Sequence, residues 1–417
     1  MKSYVIKGDN YLQGNIEVSG SKNLALPLLS LVILMKKKTT LHNIPRIKDV
    51  EEFLKIYDYL NVFYKWTNKN TLFVDSSNYI YKPLIIKEIS AIRASYYLIG
   101  AMLNKEKEIQ ISYPGGCDFE KRPIDIHIDL FKDLGAEVIE KETLEFEFKE
   151  LKSRKIKLKN ISFGATINAI LMALSLKEDI EIKNISEECE IESFIEIIND
   201  IGGKITKSKK ALYIKGNTIF NDKEINNIPS RMEIGTFALI GATLGKIRIR
   251  PVIRKHLSYL EDLFNKTNVL YYFVDDTLVV EKRKKAESVI IETGVYPAFP
   301  TDLQPILTSY LLSIPKIHVI KENIYLNRFS HVDELKKLGA MILKENNSIL
   351  INGIFLLHGD ILIARDLRGA VSLVLGALIA KGESIIENVE YIDRGYENFY
   401  EKLRSLGANI GVKEWKK

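Results

Sequence analysis

Apolar and polar positions along this chain form a pattern that recurs. In FKDLGAEVIEKETLEFEF the apolar residues first return at helical spacing and then alternate. That predicts a helix ending at Leu134 and a strand over AEVIEKETLEFEF. Gly135 stands where such a helix stops, because glycine accepts the left-handed conformation of a helix C-terminus. The same succession, with its L-G-A element intact or degenerate, is anchored at Leu60 (YLNVFYKW), Leu134 (DLGAEVIE), Ile201 (DIGGKITK), Thr267 (NKTNVLYYF), Leu338 (KLGAMILK) and Leu406 (SLGANIGV). Neighbouring anchors lie 66 to 74 residues apart, so six units span the chain.

Units also carry a second helix that is apolar nearly all round, such as 167–176 (INAILMALSL) and 371–380 (VSLVLGALIA). Helices of this kind are expected to be buried. The run at 24–35 (LALPLLSLVILM) is another; it is too short to span a bilayer, and no signal-peptide layout precedes it. Each unit reads as two helices with about four strands. Six units suggest two similar domains of three, with a connection at Asn226-Asn227-Ile228-Pro229. A cleft between two such domains is the default ligand site.

Composition narrows the class. The 417 residues are 46% hydrophobic and 27% charged, which excludes a disordered chain. The net charge of +6 is spread without a basic tract, so nucleic-acid binding is not expected, whereas a basic site for a phosphorylated small molecule fits. Two cysteines, Cys117 and Cys189, are too few for a disulfide framework and suit a reduced, cytoplasmic setting. There is no GxGxxG, P-loop, HExxH or zinc-spaced Cys/His set, so no cofactor and no metal are expected.

Four segments carry candidate chemistry. Ser19-Gly20-Ser21-Lys22-Asn23 opens an apolar helix; it reads as a capped helix start or as an anion site, where free N–H groups, the helix dipole and Lys22 attract phosphate. YPGGCDFEKRPIDIHI places Cys117 in a Pro-Gly-Gly loop near Lys121 and Arg122, which suits an idle thiol or a reactive one of lowered pKa. Cys189, between two glutamates, reads as structural. In VYPAFPTD two prolines lead to Asp302 at a helix start, as an N-cap or a working carboxylate. Finally, with 46 Lys and only 14 Arg, the contexts of Arg93, Arg122, Arg231, Arg328, Arg368 and Arg394 are distinctive. Arginine is favoured for two-pronged binding of carboxylate or phosphate.

These motifs together resemble the enolpyruvyl transferases. The resemblance runs the length of the chain: LQGNIEVSGSKNLALPLL, NIPRIKDV, IRASYYLIGAML, YPGGCDFEKRPIDIHI, ISFGATIN, MEIGTF, YPAFPTDLQ, NRFSHVDELKKLGA, RDLRGAVSLVLG and YIDRGYENFYEKLRSLGANI. It implies an α/β fold: a two-domain inside-out α/β barrel of six βαβαββ-type units, three per domain, with buried helices and the active site in the interdomain cleft. The domains would be 22–229, carrying the Cys117 loop, and 1–21 with 230–417. The implied reaction moves the enolpyruvyl group of phosphoenolpyruvate to the 3-hydroxyl of UDP-N-acetylglucosamine and releases phosphate, by addition and elimination, towards peptidoglycan. The enzyme would be a monomer or weak homo-oligomer with no nucleic-acid or membrane partner.

The resemblance also assigns residues. Cys117 matches a mobile-loop proton donor, the thiol that the epoxide fosfomycin alkylates. Asp302 matches the base at the sugar hydroxyl. Lys22, Arg122 and Arg394 match cations that hold phosphoenolpyruvate, supported by Arg93 and Arg368. Asn23 matches an amino-sugar contact; Arg122, Pro123, Ile124, Asp125 and Ile126 match a uridine-binding run; Ser162, Phe163 and Gly164 match a diphosphate-binding turn. Ile324, Arg328 and Asp366 complete the substrate-binding set. Three departures stand out. Asn160 replaces a Lys, Ser230 the acid of P-D-R-I-E, and Leu326 the acid of F-E-N-R-F. They remove one cation near the nucleotide and two carboxylates beside Arg231 and Arg328, which makes a different nucleotide-linked acceptor, or a silent nucleotide-sugar-binding paralogue, the alternative.

Overall fold

The computed structural model describes residues 2–115, 124–282, 287–353 and 356–414. At each of the six anchors a helix ends, and the next residue takes a left-handed conformation. These are Asn61 (φ 59°), Gly135 (115°), Gly202 (111°), Asn268 (53°), Gly339 (87°) and Gly407 (94°). Four are glycine. The two degenerate copies carry asparagine, which visits this region more readily than other residues with a Cβ. What recurs is therefore a backbone requirement more than a composition.

At five of the anchors the chain then runs out as a hairpin, and after Gly407 the described chain gives the one strand Ile410–Glu414. Over AEVIEKETLEFEF the single strand expected is in fact two, Ala136–Glu140 and Leu144–Phe148, paired antiparallel with Val138 opposite Phe146. The turn is closed by the Lys141 N–H donating to the Thr143 carbonyl at 3.0 Å. Alternation stays in phase across this tight turn, so periodicity alone does not reveal it.

The chain forms two compact units. One comprises the described residues of Met1–Ser19 and Pro229–Lys417; the other takes in the described residues from Gly20 to Ile228. Each has its own hydrophobic core. In the second unit, helices Lys22–Met35, Tyr97–Glu106 and Phe163–Ser175 pack on one another at the centre. In the first, Arg231–Leu244, Gln304–Leu312 and Leu367–Ile379 hold the centre, and all fourteen residues of Arg231–Leu244 are buried. Helices that are apolar all round have no face suited to water, so they occupy the inside and leave the half-polar sheets outside.

Among the described residues the strands form six sheets, five of four strands and one of three. In one, Lys155–Lys157 lies parallel to Ile180–Lys183, which pairs antiparallel with Ala211–Ile214, itself paired with Ile205–Ser208. That is strand, helix, strand, helix and hairpin, the βαβαββ unit. Segments distant in sequence complete three sheets. Lys2–Lys7 sits between Glu383–Glu387 and Ile410–Glu414, and Leu12–Glu17 runs parallel to Gly245–Arg250. Ile225–Asn226 runs parallel to Lys38–His42. Among the described residues no helix is long and apolar enough to cross a membrane.

Candidate functional site

In the unit of Gly20–Ile228, helix Lys22–Met35 starts after Ser21, whose side chain makes no capping bond, and no acid lies in the first turn. The Ser21 side chain thus leaves the first-turn N–H groups to other partners, and no acid of the first turn itself offsets the positive end of the helix dipole. Lys22 Nζ donates to Asp49 Oδ2 at 2.9 Å, and Asp49 is 6% exposed. Asp49 aims the ammonium. Asn23 follows on the same turn, half-buried.

A second helix end lies in the same unit. Ser162 caps Phe163–Ser175, its hydroxyl accepting from the Ala165 N–H at 3.3 Å. Ser162, Phe163 and Gly164 are each half-buried. Gly164 is needed for a close approach: a Cβ there would stand 2.9 Å from His127 Cε1. His127 belongs to Asp125–Leu134, the helix that Ile124, Asp125 and Ile126 open. Its Nδ1 lies 2.9 Å from Asn168 Nδ2. Burial, and then the charge of Arg93, push its pKa down to about 3, so the ring is neutral at pH 7 and accepts at Nδ1. Arg93, half-buried in the 3-10 turn Arg93–Tyr96, therefore acts electrostatically on the same spot. Cys117, Arg122 and Pro123 lie outside the described residues.

The unit of Pro229–Lys417 holds a tighter cluster. Irregular chain through YPAFP ends in a 3-10 turn, Thr301–Leu303, that leads into Gln304–Leu312. Asp302 caps neither element. Instead Oδ1 accepts from Arg328 Nη1 at 2.9 Å and Oδ2 from Arg368 Nη2 at 2.8 Å. Both arginine side chains are buried, while Asp302 keeps 28% of its side chain open. Burial works to lower the Arg368 pKa, but Asp302 and the Tyr396 hydroxyl raise it and prevail. Tyr396 Oη accepts from Arg368 Nη1 at 2.9 Å and lies 2.8 Å from Thr236 Oγ1. It thereby ties in the segment of Arg394, half-buried at the end of the 3-10 turn Val389–Arg394.

Asp366 does cap a helix: its Oδ1 accepts from the N–H groups of Arg368 and Gly369, both at 2.9 Å, and its Oδ2 from the Ser330 hydroxyl at 2.9 Å. This fixes the turn that carries Arg368. Ile324, 37% exposed, donates its N–H to Glu322 Oε1 at 2.8 Å. Asp302, Arg328, Arg368, Asp366 and Ile324 are thus joined through shared partners. Lys22, Asn23, Arg93, Ile124, Asp125, Ile126 and the Ser162–Gly164 turn belong to the other unit.

The departures have local explanations. Ser230 caps Arg231–Leu244, accepting from the Glu233 N–H at 3.3 Å, so serine does here what an acid can do. Leu326 is 52% exposed, and Arg328 takes its carboxylate from Asp302 instead. Asn160 is exposed next to Lys159, which pairs with Asp129 at 2.7 Å. Cys189 is fully buried, its thiol 3.2 Å from Glu190 Oε2, in keeping with a structural role.

The sequence pattern did not single out Asp49, His127, Thr301, Glu322 or Tyr396. Asp49, His127, Thr301 and Tyr396 lie within motif runs already noted (NIPRIKDV, RPIDIHI, YPAFPTDLQ, IDRGYE). Glu322 gives no sequence signal at all. Among the described residues no His, Cys, Asp and Glu gather in a metal-holding group.

The family model for EPSP synthase (3-phosphoshikimate 1-carboxyvinyltransferase) matches residues 6–403. Proteins of Bacillus cereus and Listeria monocytogenes, both named UDP-N-acetylglucosamine 1-carboxyvinyltransferase 2, are 36% and 37% identical over 413 and 409 residues. The matches cover 98% and 97% of this chain and 96% of each relative. Among solved structures, the enolpyruvyl transferase NikO from Streptomyces tendae superposes with a TM-score of 0.90 at 21% identity, over 99% of this chain and 98% of that one. EPSP synthase from Acinetobacter baumannii gives 0.76 at 13% identity, over 99% and 100%. At such identities the two structures speak for the fold alone.

Proposed function

Because the chain belongs to the EPSP synthase family of enolpyruvyl transferases, we propose that it transfers the enolpyruvyl group of phosphoenolpyruvate to the 3-hydroxyl of UDP-N-acetylglucosamine, releasing phosphate. The observation that carries this reading is the nearly end-to-end match to relatives of that name. The geometry supports it. Two anions, a phosphate-carboxylate and a diphosphate, need cationic and N–H-rich surroundings, which the ends of Lys22–Met35 and Phe163–Ser175 offer.

In this reading Cys117 protonates the methylene carbon as the sugar hydroxyl attacks C2, and Asp302 takes the hydroxyl proton. Lys22, Arg122 and Arg394 bind phosphoenolpyruvate, and fixed cations stabilise charge as it moves onto the leaving phosphate. Arg93 and Arg368 support them. Asn23 contacts the amino sugar, Ile324 the nucleotide sugar, Arg122 to Ile126 the uridine, and Ser162 to Gly164 the diphosphate. The product serves peptidoglycan synthesis in the cytoplasm, and the chain acts as a monomer or weak homo-oligomer.

The test is phosphate release from phosphoenolpyruvate with and without UDP-N-acetylglucosamine. Sugar-dependent release is expected. No release, with the sugar nucleotide still bound, would indicate a silent binding protein; neither release nor binding would shift the search to other acceptors. Cys117→Ser should nearly abolish turnover and block alkylation by fosfomycin, and full turnover by Cys117→Ala would remove the thiol from its assigned role.

A further inference from the structure

Glu322 stands just past the strand Ile317–Lys321, fully buried. Its carboxylate is committed to two different loops. Oε1 accepts from the N–H groups of Ile324 at 2.8 Å and Tyr325 at 3.0 Å, and Oε2 accepts from the Thr301 hydroxyl at 3.0 Å. Its own backbone is pinned as well, the N–H donating to the Asn347 carbonyl at 2.8 Å and the carbonyl accepting from Asn347 Nδ2 at 3.1 Å.

The direction of each bond follows from donor and acceptor capacity. An ionised carboxylate only accepts, so the one proton of the Thr301 hydroxyl goes to Glu322. The lone pairs of that oxygen then face Arg328, whose Nη1 donates to it at 3.2 Å and to Asp302 Oδ1 at 2.9 Å. The relay runs from Glu322 through Thr301 and Arg328 to Asp302. The same carboxylate fixes the turn that presents Ile324.

We infer that Glu322 is a positioning residue for the transfer reaction: through Thr301 it sets the Arg328 guanidinium and hence the orientation of the Asp302 carboxylate, and through its two backbone bonds it holds the Ile324 turn. This inference rests on the function proposed above. A glutamine cannot substitute fully. Its single oxygen can keep the two backbone N–H groups, but its amide N–H group then points at Thr301 and competes with Arg328 for the hydroxyl lone pairs. A carboxylate displaced from the attacking hydroxyl by an ångström costs up to about a hundredfold in rate.

The experiment compares wild type with Glu322→Gln, Thr301→Val, Thr301→Ser and the Glu322→Gln/Thr301→Val double variant. It measures sugar-dependent phosphate release and thermal unfolding. Glu322→Gln and Thr301→Val should each lower kcat by about tenfold to a hundredfold. Their KM for phosphoenolpyruvate should move by less than about threefold, because those anion contacts are not part of the relay. Thr301→Ser, which keeps the hydroxyl, should recover at least about tenfold of what Thr301→Val loses. The double variant should be little worse than either single one, since both break one chain of bonds.

Rates of Glu322→Gln and Thr301→Val within about twofold of an active wild type would overturn the inference. So would losses that multiply in the double variant, or losses that vanish when the assay is cooled well below a lowered unfolding midpoint. A wild type with no sugar-dependent release would instead refute the proposed function, and this inference with it.

Discussion

A carboxylate gripped by two buried guanidinium groups has work to do in the folded state itself. Asp302 is the anionic partner of both Arg328 and Arg368, and so it balances two charges that are costly to bury. Asp302→Asn therefore acts twice. If Asp302 is the base of the proposed reaction, phosphate release should fall by about a hundredfold or more. The protein should also lose about 1–3 kcal/mol of stability, less than breaking a fully buried pair costs, because Asp302 is partly open. Chemical denaturation checks the second effect. An Asn variant as stable as wild type would mean that the two arginines find equal support elsewhere.

The repeated helix ends are governed by backbone sterics within a few residues. Gly339 adopts a φ of 87°, and a Cβ there would also stand 3.3 Å from the His358 ring. Gly339→Ala should destabilise by about 1–2 kcal/mol, the cost of a left-handed residue with a Cβ. Asn268→Gly, at the equivalent place with φ 53°, should change stability by only a few tenths of a kcal/mol, since the freedom gained by the unfolded chain offsets the strain relieved. Urea denaturation of the two variants checks the contrast. Equal effects would show that side-chain contacts outweigh conformation at these caps.

At the scale of the whole molecule, two buried imidazoles make stability depend on pH. Burial, reinforced by Arg93, holds His127 near pKa 3. Burial, opposed by Asp366 and reinforced by Arg328, holds His331 near 4. Unfolded, both would titrate near 6.5, so below that pH the unfolded chain takes up protons that the folded chain refuses. Their contribution is complete above pH 6.5 and shrinks as pH falls, by on the order of 2 kcal/mol for each ring at pH 5. Thermal unfolding midpoints should fall between pH 7.5 and 5, and His331→Asn should flatten that slope. The strand exchange yields a second expectation. Lys2–Lys7 and Leu12–Glu17 bury Tyr4, Ile6, Leu12 and Ile16 in the core of the unit formed with Pro229–Lys417. At about 1.5–3 kcal/mol for each large side chain, their loss rivals the stability of a domain. A chain starting at Gly20 should exchange backbone hydrogens rapidly across 229–414 while the unit of Gly20–Ile228 stays protected. Equal protection in both would show that the N-terminal strands are dispensable.

By itself the sequence determined the six helix-to-strand turns and the buried helices. Both follow from local causes: a glycine or asparagine where φ must be positive, and an apolar surface with no polar stripe to turn to water. Together with the motif runs, that was enough to indicate the family. Tertiary structure alone decided the partners. Asp302 could have been a helix cap, and local rules could not choose; its arginines come from 26 and 66 residues away. The Asp49 that aims Lys22, the neutral His127 beside Gly164, and the Glu322 that orders two loops are likewise products of packing. A buried polar group takes whichever donor or acceptor the fold brings within about 3 Å, and no periodicity along the chain encodes that meeting.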